Sequence, residues 1–379
     1  MSEYQYYEFR CVDRPLTGQE MTKLRATSSR ADISATSFVN EYHYGDFRGD
    51  PEVLMEKYFD AFVYVANWGT HHFMVRLPKK ALGNRECAPF CAGDNLSARL
   101  KGEYLILSFR ADELQTNWEE GEGWMNALLP IREDLHRGDR RALYLGWLRA
   151  VQNEEVDDDQ PEPPLPPGLR SLSPALTSLT EFLDIDPDLL GAAAELSPDL
   201  EVSSPSKEML PQWISSIPEA DKNAVIFQVA SGEDPNAVTS LVRRFEREHL
   251  KVAPQAESPR RTVAELRAAG DQRAQERKRR EEQRLRLEQQ RQAKALAAKR
   301  AKHLDALEKR EADSWDELDR LIATKRPKEY ASAVALLVDL RDVAARKDGS
   351  AIFQERLQTL RARHTGKPSF LRKLADAVL

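Results

Sequence analysis

Two cysteines four positions apart, Cys87 and Cys91 in ECAPFC, follow the adjacent histidines His71 and His72. Thiolates and imidazoles are zinc ligands, and structural zinc sites combine two close cysteines with histidines or with a second cysteine pair. Here Pro89 and Phe90 lie between the cysteines, and the only other cysteine is Cys11. The pair therefore reads as two small buried hydrophobes. Neither has a neighbouring Lys or His in sequence that would mark a low-pKa nucleophile. A second group, His43, Asp46 and Asp50, lies in NEYHYGDFRGD, where an imidazole beside carboxylates could serve as an acid–base pair. No Gly-x-Ser-x-Gly turn accompanies it, and no glycine-rich phosphate loop occurs in the chain. The bland reading of this polar cluster is a turn with a partly exposed histidine. The sequence thus assigns no catalytic, cofactor-binding or metal-binding residue.

The feature with most physical content is residues 271–312, which lack Gly and Pro and are rich in Ala, Arg, Glu, Gln, Leu and Lys. Glu276/Arg280, Glu282/Arg286 and Asp305/Lys309 are i,i+4 pairs with the acid first, the favourable order. A helix over this segment would be a rod of about 60 Å. Its first half lacks the apolar seam of a coiled coil, so it reads as a solvated single helix. From Leu285 onward, Leu296, Leu304 and Leu307 could make a short seam, so the second half is expected to dock. Between Arg260 and Arg310 there are 17 Lys or Arg against 8 Asp or Glu, an excess of 9 positive charges. At ~100° per residue, Arg273, Arg277, Arg280, Arg284 and Arg291 fall near one line, a candidate surface for an anionic partner. Such a stripe suits salt-sensitive, sequence-blind binding of nucleic acid. The alternative is a helix charged for solubility, with Glu281 and Glu288 neutralising part of it.

The elements that must carry these residues begin with a strand over 4–12. Thr17 and Glu20 then form a capping-box pair opening a helix to about Ser29. A second strand over 32–42 follows, then a helix over 51–66 opened by Asp50-Pro51. Strands at 72–77, 98–101 and 104–110 come next, the last two as a hairpin about Gly102-Glu103. Helices at 122–135 and 139–152 close the segment. The order predicts an α+β domain over 1–152, a mixed sheet with packed helices. Its aromatics (Tyr4, Tyr6, Tyr7, Phe9, Phe59, Phe62 and Phe73 among them) read as core, since no Lys or Arg alternates with them as a stacking surface for single strands would require.

The acidic, proline-rich stretch 153–168 reads as an extended spacer. Residues 169–254 read as a small helical domain, with helices at 219–230 and 234–249. A linker follows over 255–270, then the charged helix 271–312. The C-terminal domain 313–379 carries helices near 316–322, 330–347 and 352–364 and a final turn at 370–378. The whole is an α+β head followed by an all-α region containing a long charged single helix.

The chain has 379 residues, 41% of them hydrophobic, enough for two or three domains with real cores. A net charge of −6 gives no global pull towards nucleic acid or anionic membrane. An odd, sparse set of cysteines fits a reducing compartment. Glu3 and Glu8 stand where a signal peptide would need a basic start and an apolar run. No window approaches the ~18 apolar residues of a spanning helix. The cytoplasm, with no membrane association, is the expectation.

Several blocks, SEYQYYEFRCVDRPLTGQEM, TSFVNEYHYGDFRGDP, FVYVANWGTHHFMVRLP and GDRRALYLGWLRAV, resemble an uncharacterised bacterial protein family across most of the chain. The tail SWDELDRLIATKRPKEYASAVALLVDLRD, with RARHTGKPSFLRKL, is similar to helical segments that follow the zinc-binding region of bacterial SWIM-finger proteins. SWIM fingers use Cys-x-Cys and Cys-x-His, and neither occurs here, so no zinc or DNA role carries over. The resemblance implies a bacterial source and no activity. The expected function is a non-enzymatic interaction or scaffold protein binding protein partners. Accessory nucleic-acid binding through 271–312 is one alternative, and an unfamiliar enzyme in the head is another.

Overall fold

The computed structural model describes residues 3–114, 120–200, 209–231, 241, 242, 244, 245 and 260–377. In chain order the elements are β1 (Gln5–Arg10), α1 (Gly18–Thr27), β2 (Asp32–Ile33), β3 (Ser37–Tyr42), α2 (Pro51–Lys57), β4 (Ala61–Ala66) and β5 (Thr70–Pro78). Next come α3 (Asn84–Cys87), β6 (Leu96–Lys101), β7 (Tyr104–Ala111), α4 (Trp124–Leu128), α5 (Pro130–His136) and α6 (Arg141–Gln152). Then follow α7 (Pro174–Phe182), α8 (Pro187–Leu196), α9 (Met209–Ser216), α10 (Glu219–Ser231) and α11 (Val263–Lys309). The last are α12 (Glu311–Ala323), α13 (Pro327–Arg346), α14 (Ser350–Arg363) and α15 (Pro368–Asp376). The chain divides into two compact units, Met1–Arg277 and Lys278–Leu379. The α+β class followed by an all-α region is thus present.

In the first unit seven strands form one sheet in the order β2-β3-β1-β4-β5-β7-β6. Every pairing is antiparallel, where a mixed sheet was expected. Strand alternation sorts the side chains into two cores. Val63, Val65, Phe73, Val75, Leu107 and Phe109 face α4–α8. Phe9, Phe38, Phe62 and Met74 face α1 and α2, through Leu24, Leu54 and Met55. Thr17 and Glu20 make both bonds of the capping box that starts α1. The helix expected over 51–66 stops at Lys57, and Ala61–Ala66 is instead the central strand β4, buried on both faces. A short apolar run of this kind has no period to separate strand from helix. Buried Asp60 fixes the corner between them: it accepts from the amides of Val12 and Asp13 at 2.7 and 3.0 Å and pairs with Arg76 at 2.8 Å.

The segment 153–168 packs on the first unit, and the first two helices after it share the core of the sheet. Val156 and Glu162 are buried, and Leu176, Leu179, Phe182 and Leu189 of α7 and α8 share one core with the sheet. The expected linker 255–270 also ends early. Thr262 and Glu265 form a capping box, with Thr262 N donating to Glu265 at 2.8 Å and Glu265 N to Thr262 Oγ1 at 3.3 Å. That box starts α11 eight residues before position 271. Gly270 lies inside the helix, because a Cβ there would stand 3.3 Å from the Cα of Leu189 on α8. It marks a close helix approach rather than a break. The helix expected over 234–249 falls almost entirely outside the described residues.

The acidic segment holds the start of α11. Glu162 is 3% exposed and accepts from the Tyr144 hydroxyl and from Arg261 Nε at 2.6 Å. Around this carboxylate the two strands of chain pair: Glu162 N donates to Arg261 O at 2.9 Å and Val263 N to Gln160 O at 3.0 Å. Arg267 adds bonds to Val151 O at 2.8 Å and to Asp158 at 2.5 Å.

In the second unit Leu304 and Leu307 of α11, Leu318 and Ile322 of α12, Leu337 and Leu340 of α13, Phe353 and Leu357 of α14 and Phe370 of α15 form one core. Arg300 pairs with Asp339 and, at 2.7 Å, with Asp342. Arg346 meets Asp305 at 3.0 Å, so α13 is bound to the end of α11 by charge as well as by packing.

Removing one partner of a buried ion pair strands the other charge at a cost of about 3–5 kcal/mol. Glu162→Gln is expected to destabilise the first unit by about 3 kcal/mol in urea unfolding, whereas Glu103→Gln, at the exposed pair with Lys79, should leave the unfolding midpoint unchanged.

Candidate interaction site on the C-terminal helices

The residues singled out in the sequence scatter. His43 is exposed, with its ring 5.7 Å from that of Tyr4. Asp46 accepts from Gln5 Nε2 at 3.1 Å. Asp50 caps α2, accepting from the amides of Glu52 and Val53 at 2.9 and 3.4 Å. Two of the three carboxylate and imidazole groups therefore already have local structural work. His71 stacks on Phe182 in the core and its Nδ1 lies 2.8 Å from Phe182 O, so it is a core histidine. Cys87 is buried, and burial pushes its thiol up to about 12. Among the described residues no group of three or more His, Cys, Asp or Glu could hold a metal ion. None of the described helices is long and apolar enough to cross a membrane.

The sheet carries one polar pair that sequence reasoning did not find. His72 Nε2 lies 2.7 Å from Ser108 Oγ, across β5 and β7 on the face opposite His71. The imidazole is pulled down to about 4 by burial, with the Arg110 guanidinium adding to the effect and Asp112 opposing it. A neutral imidazole bonded to a hydroxyl is the core of an activated nucleophile. The third member of such a set would orient the imidazole, but Asp112 is committed to Thr70 Oγ1 at 2.9 Å and to Arg110 at 2.6 Å. The pair reads as cross-strand structure.

The basic stripe divides in two. Arg273 pairs with Glu195 and Arg277 with Asp188 at 2.7 Å, both carboxylates on α8. Their charge is spent within the first unit, which is half of what the acidic and basic segments do for each other. Arg280, Arg284 and Arg291 lie on a stretch of α11 whose every residue from Gln275 to Lys299 is exposed. Arg284 is 80% exposed and lies 3.8 Å from Glu281. At ~100° per residue, Arg280, Arg284, Arg291 and Lys294 lie within about 60° of Leu287, whose side chain is 57% exposed.

The described cavity lies elsewhere, as a groove of about 770 Å³ between α12 and α14. Trp315, Ile352 and Leu360 supply its apolar lining, and Glu311, Asp316, Asp319, Glu355, Arg356 and Arg363 its charge. Both arginines are used across the groove: Arg363 meets Asp319 at 3.3 Å, and Arg356 stands 4.0 Å from Glu311 and 5.5 Å from the Trp315 ring centroid. The Trp315 indole N–H is enclosed and meets no acceptor among the described residues. Buried donors are almost always paired, and an orphan one costs about 1–3 kcal/mol. Ile352, 62% exposed, stands at the same groove. Neither residue was legible as a site, because each reads as one apolar position of an ordinary helix and the two are brought together only by packing.

The His72 geometry has a testable consequence. Its folded pKa lies below the ordinary value of about 6.5, so the unfolded state binds the extra proton. Stability is therefore complete above about pH 6.5 and lost as pH falls towards 4. Urea titrations at pH 7 and 4.5 should show a smaller acid-induced loss in His72→Gln than in the wild type. An equal loss in both would mean that His72 is not held neutral.

No protein-family model, curated protein or solved structure matches the chain.

Proposed function

We propose that this chain is an interaction protein whose C-terminal helices receive a helical segment of a protein partner in the groove between α12 and α14. The observation that carries this reading is the exposed side chain of Ile352 facing Trp315 across a groove rimmed by charged residues. Amphipathic helices are commonly bound in this way, by an apolar side chain set into a groove between two helices with polar groups at its rim. The wall helices are fixed by α13, which packs on both through the core of Leu318, Leu337 and Phe353, so the groove is preformed. Preformed sites avoid the ordering cost that weakens binding.

The test is selection from a displayed library of helical peptides on the full-length protein. Trp315→Ala removes the aromatic wall of the groove. It should weaken selected peptides by about tenfold, the effect of losing ~1.4 kcal/mol. Ile352→Asp should abolish binding, with unchanged far-ultraviolet circular dichroism in both variants. Peptides that bind both variants as well as the wild type, or a library from which none is enriched, would refute the groove as the site.

A further inference from the structure

We propose that the segment filling this groove is the cationic face of α11 from a second copy of the chain, and reciprocally, so that two chains pair about a twofold axis. The inference rests on the groove being a helix-binding site, and it names the occupant. The groove's own cations are consumed by Glu311 and Asp319. Its remaining carboxylates, Asp316 and Glu355, stand one on each wall, both exposed and with no ion pair among the described residues. An occupant must therefore bring one apolar side chain for Trp315 and Ile352 and cations for the two walls.

The exposed stretch of α11 has that composition on one face. Leu287 is the apolar side chain, and Arg284 and Arg291 lie at i−3 and i+4 from it. Gln283 and Gln290, at i−4 and i+3, carry carboxamide oxygens to the same side. Of the four acids of the stretch, Glu276 lies on this side, about 20° from Leu287, while Glu281, Glu282 and Glu288 fall about 100–140° from it at ~100° per residue. The basic residues on either side of the stretch are already used, Arg277 by Asp188 and Arg300 by Asp339 and Asp342. Between these two anchored ends, Arg284, Arg291 and Lys294 are exposed around Leu287. Reciprocal exchange uses both grooves and both helices, so the pair closes and does not extend into a fibre.

The experiment is sedimentation equilibrium of the full-length protein at low and high salt, with two surface charge-reversed variants. One carries Asp316→Lys and Glu355→Lys, the other Arg284→Glu and Arg291→Glu. The wild type is expected to dimerise, less tightly as salt rises. Each variant alone sets like charge against like charge and should dissociate about a hundredfold more readily. Mixed in equal amounts, the two variants present opposite charges at both contacts, and the dimer should return as a heterodimer. A dimer insensitive to both variants, or a mixture that stays monomeric, overturns the proposal. So does a monomeric wild type, and peptide selection then separates the causes. Basic peptides that bind through Trp315 would leave the groove reading standing with another occupant, whereas no selected peptide would remove both readings. A monomer shifted by a short DNA duplex and insensitive to the groove variant would assign the α11 face to a polyanion instead.

Discussion

The carboxylate of Glu162 fixes where the long helix begins. It lies in the core between the Tyr144 hydroxyl and the Arg261 guanidinium, and its own backbone pairs with that of Arg261. A charge in that position is tolerable only with both partners present. The surrounding prolines are consistent with this role: a segment laid on a packed surface has fewer amide donors to satisfy where residues are proline. What composition presents as an acidic spacer is thus a strap. Its acids are matched to the first arginines of the basic segment, Glu162 to Arg261 and Asp158 to Arg267. The same matching continues along α8 with Glu195 and Asp188.

Local rules were legible where the signal is local. The Thr17/Glu20 box, the hairpin at Gly102 and the helices of the C-terminal unit follow from capping chemistry, turn preference and a 3.6-residue period. The central strand β4 was not, because burial on both faces erases the alternation that identifies a strand. Counting only the Gly-free run 271–312 as helix left out Gly270, which lies within α11. A glycine that ends a helix and one that admits a neighbouring helix are the same letter, and only the nearness of Leu189 tells them apart. Thr262 and Glu265 carried the start of α11 openly, in the same pattern as Thr17 and Glu20.

The site was legible by halves. Regular spacing exposed the line of arginines on α11, but spacing cannot say which of them a fold consumes. Arg273 and Arg277 are taken by carboxylates some eighty to ninety residues earlier in the chain, 78 and 89 positions away. The groove left no trace in sequence at all. Trp315 satisfies the pattern of a helix packing inward, and its unpaired nitrogen is a property of the surroundings that α14 creates.

These facts bear on whether the exposed stretch of α11 is merely solvated. A helix charged only for solubility gains most from mixing signs around its whole circumference, since i,i+4 pairs of opposite charge each add a few tenths of a kcal/mol. Here Arg280, Arg284, Arg291 and Lys294 share one side with the single acid Glu276, and that side has a leucine at its centre in place of another polar residue. Exposing that side chain sacrifices hydrophobic stabilisation that a glutamine or lysine would not forgo. An apolar group ringed mainly by cations has the composition of a contact surface, with a central anchor and a polar rim. The acidic groove of the same unit has the complementary arrangement, two carboxylates about an indole and an isoleucine.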